Sequence, residues 1–415
     1  MKAVVLVAGK GTRMEPLTSD CPKVMLQVAN KPVLEHILDS AVEAGIEGFV
    51  FITGYLEDQI KTHFGDGSRW GVSIEYVQQK EQLGTANAIG YARGHVEGAF
   101  LVLNGDMLIE KSDLQSLLER KEEAVICVKE VENPSDFGVL ETEGERVIRI
   151  IEKPKNPPTK LANAGIYLFR ESIFGFIDRT ELSVRKELEI TDSIQMLIDS
   201  GAPAGYSLLG DSWIDIGYPW DLLKANEHLL KTLKGYCRGN VEPNVTLRGE
   251  VAIGKGSLIR SGAYIEGPVV IGDYCDIGPN CFIRPSTAIG NKVRIGNAVE
   301  VKNTIVMEGT HIGHLSYVGD SVIGRRCNFG AGTKVANLRH DGKNIKVMLK
   351  GRIIDSGRRK LGVIMGDDVH TACIRQVNVI RDRYFHISLP LDSISSSESP
   401  PYSIFLTLFF LFSEK

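Results

Sequence analysis

Seven cysteines are scattered through 415 residues with no C-x-x-C pair, an odd count that argues against both a disulfide framework and a cysteine zinc site. No excess of positive charge is present. The 48 lysines and arginines stand against 52 aspartates and glutamates, a net charge of −4, so no global basic field recruits nucleic acid. An apolar run near the end, Ile404 to Phe412, is far shorter than the roughly 20 residues a membrane helix needs. Strand-like residues begin within a few positions of Met1 and leave no room for a signal peptide. The expectation is a cytoplasmic protein with no nucleic-acid or membrane partner. Two phosphate-binding patterns are also missing, the Rossmann G-x-G-x-x-G and the terminal G-K-[ST] of a P-loop.

What is present begins with LVAGKGTRMEPLTSDCPK, from Leu6 to Lys23. A buried strand, Ala3–Val7, runs into a loop holding Ala8, Gly9, Gly11, Thr12 and Arg13. Small residues there let backbone N–H groups approach a phosphate closely. Arg13 adds a planar fork of donors suited to phosphate oxygens, and Lys23 adds a point charge.

Up to about Lys234, aliphatic runs alternate with amphipathic stretches. Ala3–Val7, Gly48–Thr53, Ser73–Gln78, Phe100–Leu103 and Val125–Val131 read as strands, and Val33–Ala44, Leu56–Phe64, Ala86–Arg93 and Asp113–Lys121 as helices. That alternation predicts an α/β, Rossmann-like domain with a mainly parallel sheet and a ligand site at the carboxyl ends of its strands. Asp106 in LNGD and Asp215 in WIDIGYP fall at two such ends. Two carboxylates from separate strands suit an octahedral Mg²⁺ that also takes phosphate oxygens and waters.

Past about Asn244 the pattern changes to VTLRGE, VAIGKG, SLIRSG, AYIEGP, VVIGDY, CDIGPN, CFIRPS, TAIGNK, VRIGNA, VEVKNT, with an aliphatic residue third in every hexad. A strict period of six fits neither a helix face nor simple strand alternation. It predicts a parallel β-helix of hexapeptide repeats, each short strand pointing one aliphatic residue inward. The expected division is 1–228 for the first domain, 229–244 for a linker, 245–371 for the repeat domain and 372–415 for an atypical, disordered tail. Trp220–Leu233 reads as a helix whose leucines pack across the junction.

The string G-x-G-T-R-M-x-P-L-T followed closely by P-K resembles the signature of sugar-phosphate nucleotidylyltransferases. The resemblance covers essentially all of residues 1–225. It implies Mg²⁺-dependent transfer of a nucleotidyl group from UTP or dTTP to a sugar 1-phosphate, with Arg13 and Lys23 stabilising the charge that develops on the phosphates. QQKEQLGTA resembles the segment that reads the base and approaches the ribose, which implies base contacts for Gln79 and Gly84 and a neighbouring one for Thr85. Gly138, Glu152, Lys153 and Asn163 match sugar and sugar-phosphate contacts.

The stretch GHLSYVGDSVIG…NFGAGT…N…DG resembles the acetyltransferase domain of bifunctional N-acetylglucosamine-1-phosphate uridylyltransferases, which is a left-handed β-helix. The likeness implies His314 as general base toward acetyl-CoA, Arg284 and Lys302 at the sugar phosphate, and Tyr317 and Asn328 at the sugar. It also implies Ala331 and Asn337 at the acetyl donor. ANLRHDGKN departs from the bacterial pattern and points to an archaeal-type two-domain branch. Members of this family usually trimerise, so a homotrimer is expected.

The hexads stop after MGDDVHT at Thr371, where the family adds further turns that build much of the coenzyme A site. A serine cluster and an uncharged apolar run follow instead, without terminal caps. Two outcomes stay open, a working second site and an impaired one. Two other readings are a glucose-1-phosphate thymidylyltransferase or mannose-1-phosphate guanylyltransferase with a purely structural β-helix, and a non-catalytic assembly subunit.

Overall fold

The computed structural model describes residues 1–372 and the backbone of Gln376 and Val377; the rest of the expected tail lies outside the described residues. The first domain opens with β1 (Lys2–Leu6), a ribbon of β2 (Gln27–Val28) and β3 (Lys31–Pro32), α1 (Val33–Glu43), β4 (Gly48–Thr53) and α2 (Glu57–Phe64). It continues through β5 (Ser73–Gln78), α3 (Thr85–Gly90), β6 (Ala99–Asn104), β7 (Met107–Leu108), α4 (Lys111–Leu118) and β8 (Ala124–Glu130). The last part holds β9 (Val139–Glu143), β10 (Arg146–Ile151), β11 (Leu161–Arg170), α5 (Ile173–Ile177), α6 (Ile190–Asp199), β12 (Ala204–Leu208), β13 (Ile214–Asp215) and α7 (Asp221–Leu230).

A nine-stranded sheet runs β5-β4-β1-β6-β11-β8-β12-β10-β9. Its strands point one way except β10 and β11, so the expectation of a mainly parallel sheet holds. Strand alternation divides the apolar residues between two faces. Val5, Phe51, Leu101 and Leu103 face one core with Leu34 and Leu38 of α1, Leu114 of α4 and Leu222 of α7. Val4, Val50, Ile52, Phe100 and Val102 face the other, with Ile89 of α3, Ile173 of α5 and Ile194 of α6. Strand order reverses at β1, where β4 lies on one side and β6 on the other, and that crevice is where an open α/β sheet receives ligands.

In the second domain the repeat strands pair in parallel with those one coil later, forming three stacked sheets. The ladders Ile253–Ile271–Ile289, Ile259–Ile277–Ile295 and Ile265–Ile283–Val301 run up the inside, fully buried, as the hexad rule requires. The first coil starts at Tyr236–Cys237 and Asn240–Val241, inside the segment expected to be a linker. At the other end, Gln376–Val377 pairs with Lys334–Val335, so the coil runs on past Thr371. Turns take left-handed backbone at Tyr274, Asn280, Ser286, Lys292 and Ala298, a conformation expected mainly of glycine or asparagine.

The corner after Val301 is one residue shorter than the one after Ile283, which explains the slip in the hexad register beyond Asn303. Two coils later the same corner is filled by residues 336–361, which carry a hairpin of Lys346–Leu349 and Arg352–Asp355. This corner faces the first domain. Asn303 donates to both Glu227 of α7 and Asp320 at 2.9 Å, and Arg358 donates to Glu227 at 2.6 Å. Among the described residues no helix is long and apolar enough to cross a membrane.

Candidate active sites

A cavity of about 440 Å³ opens at the β1 crevice, lined by Ala8, Gly9, Gly11, Thr12, Arg13, Lys23, Gln79, Gly84, Thr85 and Asp106. Sequence reading named all of these, and the fold brings them together. The Ala8 carbonyl accepts from the Tyr55 N–H at 3.1 Å and the Gln82 amide at 2.8 Å, which pins the loop. Gly11 has φ of +65°, and a Cβ there would lie 2.7 Å from that of Lys23, so both backbone and space call for glycine.

Asp106 and Asp215 are brought side by side by an antiparallel ribbon of β7 and β13, which pairs Met107 with Asp215. Lys23 is almost wholly buried and its ammonium lies 2.5 Å from Asp106. Burial first, then the charge of Asp106, pushes the Asp215 carboxyl up to about 6. Asp221, at the start of α7, is pushed up to about 7, again by burial first and then by Asp215. Gly217 lies against both carboxylates and within reach of Arg13, which stands over the Tyr218 ring at 5.4 Å. Asp106 and Asp215 could hold a divalent cation. Adjacent hard oxygen donors that repel one another when ionised fit such an ion, with phosphate oxygens and waters filling the other positions. Among the described residues no group of three or more His, Cys, Asp or Glu is arranged around a metal site.

Gln79 is buried and donates to Asn87 at 2.8 Å. The Thr85 hydroxyl accepts from the Ile190 N–H at 3.0 Å, so it clasps the segment before α6. Gly138, Glu152 and Asn163 form a second cluster: a Cβ on Gly138 would lie 3.1 Å from the Glu152 carboxylate and 3.4 Å from Asn163. A register shift in β11 follows Asn163, whose amide donates to Tyr167 at 2.7 Å. Lys153, with φ of +42°, places its charge where Asp215 feels it. Arg185 joins this cluster to the cavity, donating to Glu152 at 2.8 Å and to the cavity-lining Glu187 at 2.9 Å. Sequence reading missed Gln82, Arg185, Tyr218 and Asp221. Gln82 lay within QQKEQLGTA and Tyr218 within WIDIGYP, so both carried a signal, whereas Arg185 and Asp221 lay outside the motifs singled out.

In the second domain, Arg284, Lys302, Tyr317 and Asn337 gather on and beside one sheet. Asn337 donates to the Tyr317 hydroxyl at 2.9 Å and to Asp320 at 2.6 Å, and Arg284 pairs with Glu300 at 2.9 Å. Burial first, then the charges of Lys360 and Arg284, hold Lys302 below the ordinary lysine range against the opposing pull of Asp320. Lys360, which sequence reading did not single out, thus adds a third cation to Arg284 and Lys302. Burial, with Asp320 and Glu300, raises the Tyr317 phenol. His314 and Asn328 stand exposed on the neighbouring sheet, and Ala331 lies on the loop after Phe329. The fold thus sets His314 and Asn328 on one sheet and Arg284, Lys302 and Tyr317 on or beside the next, with His314 ending its strand three residues before Tyr317.

A nucleotidyl transferase family model matches residues 2–232, and a model described as the GMPPB C-terminal domain matches residues 265–397. The chain is similar to the bifunctional protein GlmU of Methanocaldococcus jannaschii, 43% identical over 372 residues that make up 89% of each. It is also similar to the bifunctional sugar-1-phosphate nucleotidylyltransferase/acetyltransferase of Sulfurisphaera tokodaii, 41% identical over 89% of this chain and 91% of that one. A Bacillus anthracis structure assigned as a glucose-1-phosphate thymidylyltransferase, in complex with sucrose, superimposes with a TM-score of 0.52 at 29% identity, over 57% of this chain and 98% of that one. A UDP-glucose pyrophosphorylase complexed with UDP-glucose gives 0.51 at 25% identity, over 55% of this chain and 98% of that one.

Proposed function

The chain belongs to the nucleotidyl transferase family and, along 89% of its length, to the bifunctional sugar-1-phosphate nucleotidylyltransferase/acetyltransferases, and from that premise we propose what each site does. The first transfers a nucleotidyl group from UTP or dTTP to N-acetylglucosamine 1-phosphate or glucose 1-phosphate, giving an NDP-sugar and pyrophosphate. A phosphate oxygen of the sugar attacks the α-phosphorus while the bond to the β-phosphate breaks, so no protein nucleophile is needed. The loop amides from Gly9 to Thr12 and the Arg13 and Lys23 cations receive the phosphates and the charge that develops on them. Gln79 and Gly84 border the base, Glu152 accepts from sugar hydroxyls and Lys153 meets the sugar phosphate. Mg²⁺ held by Asp106 and Asp215 supplies charge neutralisation and orientation. The observation that carries this reading is the Lys23–Asp106–Asp215 group at the end of a glycine-loop cavity.

The second site acetylates an amino-sugar 1-phosphate from acetyl-CoA. Arg284 and Lys302 take the phosphate, Tyr317 and Asn328 the sugar, and Ala331 and Asn337 lie toward the acetyl donor. His314 removes the amine proton as nitrogen attacks the thioester carbon and the thiol leaves. The assembly we propose for this site is a homotrimer of left-handed β-helices, one copy's His314 face meeting the next copy's phosphate cluster. The setting is cytoplasmic, with small-molecule substrates and neither nucleic acid nor membrane as partner.

Purified protein with Mg²⁺, a panel of nucleoside triphosphates and sugar phosphates, with and without acetyl-CoA, tests both halves. Asp106→Ala should abolish NDP-sugar formation and leave thiol release from acetyl-CoA intact, and His314→Ala should do the reverse. Parallel loss of both activities in either correctly folded variant contradicts separate sites. The alternative of a thymidylyl- or guanylyltransferase with a purely structural β-helix is favoured by the GMPPB-type match over 265–397. It predicts NDP-sugar without any thiol release.

A further inference from the structure

The hairpin at the domain-facing corner ends in a two-residue turn. Leu349 pairs with Arg352, leaving Lys350 and Gly351 at the tip with φ of +49° and +76°. Both values are left-handed, as a tight hairpin turn of the I′ kind needs. The strand before it alternates cleanly: Val347 and Leu349 are buried, while Lys346 and Met348 are exposed. Val347 joins the same apolar cluster as the first domain's α1 and α7 residues, so the hairpin is seated on that domain. Its tip therefore has a defined position. The Lys350 ammonium donates to Thr12 Oγ1 at 2.5 Å, across 338 positions of sequence.

Thr12 lies between Gly11 and Arg13 on the loop that lines the nucleotide cavity. The other cations here are already engaged, Lys23 with Asp106 and Arg13 over Tyr218. A single hydroxyl is a poor counterpart for an ammonium, a compact, strongly hydrated charge with three donors. A polyphosphate on the loop offers the anionic oxygens that Lys350 does not meet among the described residues.

We propose that Lys350, carried by the second domain, is a nucleotide-binding residue of the first site that contacts the phosphate chain beyond the α-position above Thr12. This rests on the nucleotidyl-transfer reading of that site. The consequence is that the first site is completed by the repeat domain, through the insertion that also brings Asn337 and Lys360 to the second site.

The test is calorimetric titration of the full-length protein with UTP and dTTP in Mg²⁺, beside UMP and dTMP, together with steady-state kinetics. An exposed ion pair is worth up to about 1 kcal/mol, so Lys350→Ala should weaken triphosphate binding about fivefold. Monophosphate binding and the thermal midpoint should not move, KM for the triphosphate should rise at unchanged kcat, and Lys350→Arg should restore both. Unchanged triphosphate affinity in Lys350→Ala overturns the proposal. So does an equal loss for mono- and triphosphate, which would mean that the lysine only supports the loop. Wild-type protein that binds UTP but forms no NDP-sugar would refute the nucleotidyl-transfer reading, and the titration would still decide the role of Lys350.

Discussion

Asp215 and Asp221 bind their protons more tightly than exposed carboxyls do, near 6 and near 7, because burial disfavours the charged form and each adds to a negative neighbourhood. The unfolded chain loses those protons near about pH 4. Between there and 7 the native state holds protons that the unfolded state has released, so this pair's contribution to stability is present at low pH and lost as pH rises. Thermal unfolding without metal should therefore show this loss from pH 4 to 7, and Asp221→Asn should flatten it. Mg²⁺ should restore stability most above pH 6, where Asp215 is free to ligate. A metal effect that does not change with pH would remove Asp215 from the cation site. The placement of Asp106 and Asp215 at strand ends was legible because LNGD and WIDIGYP each close an aliphatic run. Asp221 was not, since an acid in the first turn of a helix ordinarily only complements the helix dipole.

Among the elements, the early strands were legible to within a residue, because β1, β4 and β6 are buried on both faces and read as plain aliphatic runs, while the expected ends of α3 and α4 overran by three residues. The part from β9 to β12 was not. β11 runs antiparallel between β6 and β8, a non-local pairing that no local pattern announces. The clasp between Leu83–Ala86 and Leu188–Ile190 was equally hidden. Leu188 donates to the Leu83 carbonyl at 2.6 Å, and the Ala86 N–H donates back to Leu188 at 2.9 Å. Gly84 has φ of +126° inside this clasp, and a Cβ there would lie 2.5 Å from the Leu188 carbonyl oxygen. Gly84→Ala should thus cost about 1–3 kcal/mol of stability through strain and displacement, read as a lower denaturant midpoint. It should also weaken nucleotide binding, because Gly84 lines the cavity. A midpoint equal to that of wild type would show that the clasp opens without cost.

Across the whole molecule, the two architectures share one core. Past its exposed first strand Tyr236–Cys237, one sheet is buried on both faces at Val251–Ile253, Val269–Ile271, Thr287–Ile289, Ile305–Val306, Val322–Ile323 and Ile364–Met365, unlike its two neighbours. Its inward residues fill the coil. Its outward ones, Ala252, Val270, Ala288, Ile305 and Val322, join Leu222, Leu223 and Leu230 of α7 in the first domain's cluster. The sequence held that signal in every third hexad, since VAI, VVI and TAI place an apolar residue where the other hexads vary. A strict repeat directs attention to the position that never changes, and the docking face was written in the position that changes with a period of three hexads. Joined this way, the domains should unfold together, and Val270→Glu should part them, because a carboxylate on that closed face lacks a partner to offset its desolvation. Calorimetry should show one transition for wild type and two for the variant, with loss of the Lys350–Thr12 contact raising KM for the triphosphate although the first site itself is untouched. A single transition at the wild-type midpoint in Val270→Glu would mean that the face is wet, and the shared core would then contribute nothing to holding the two sites in register.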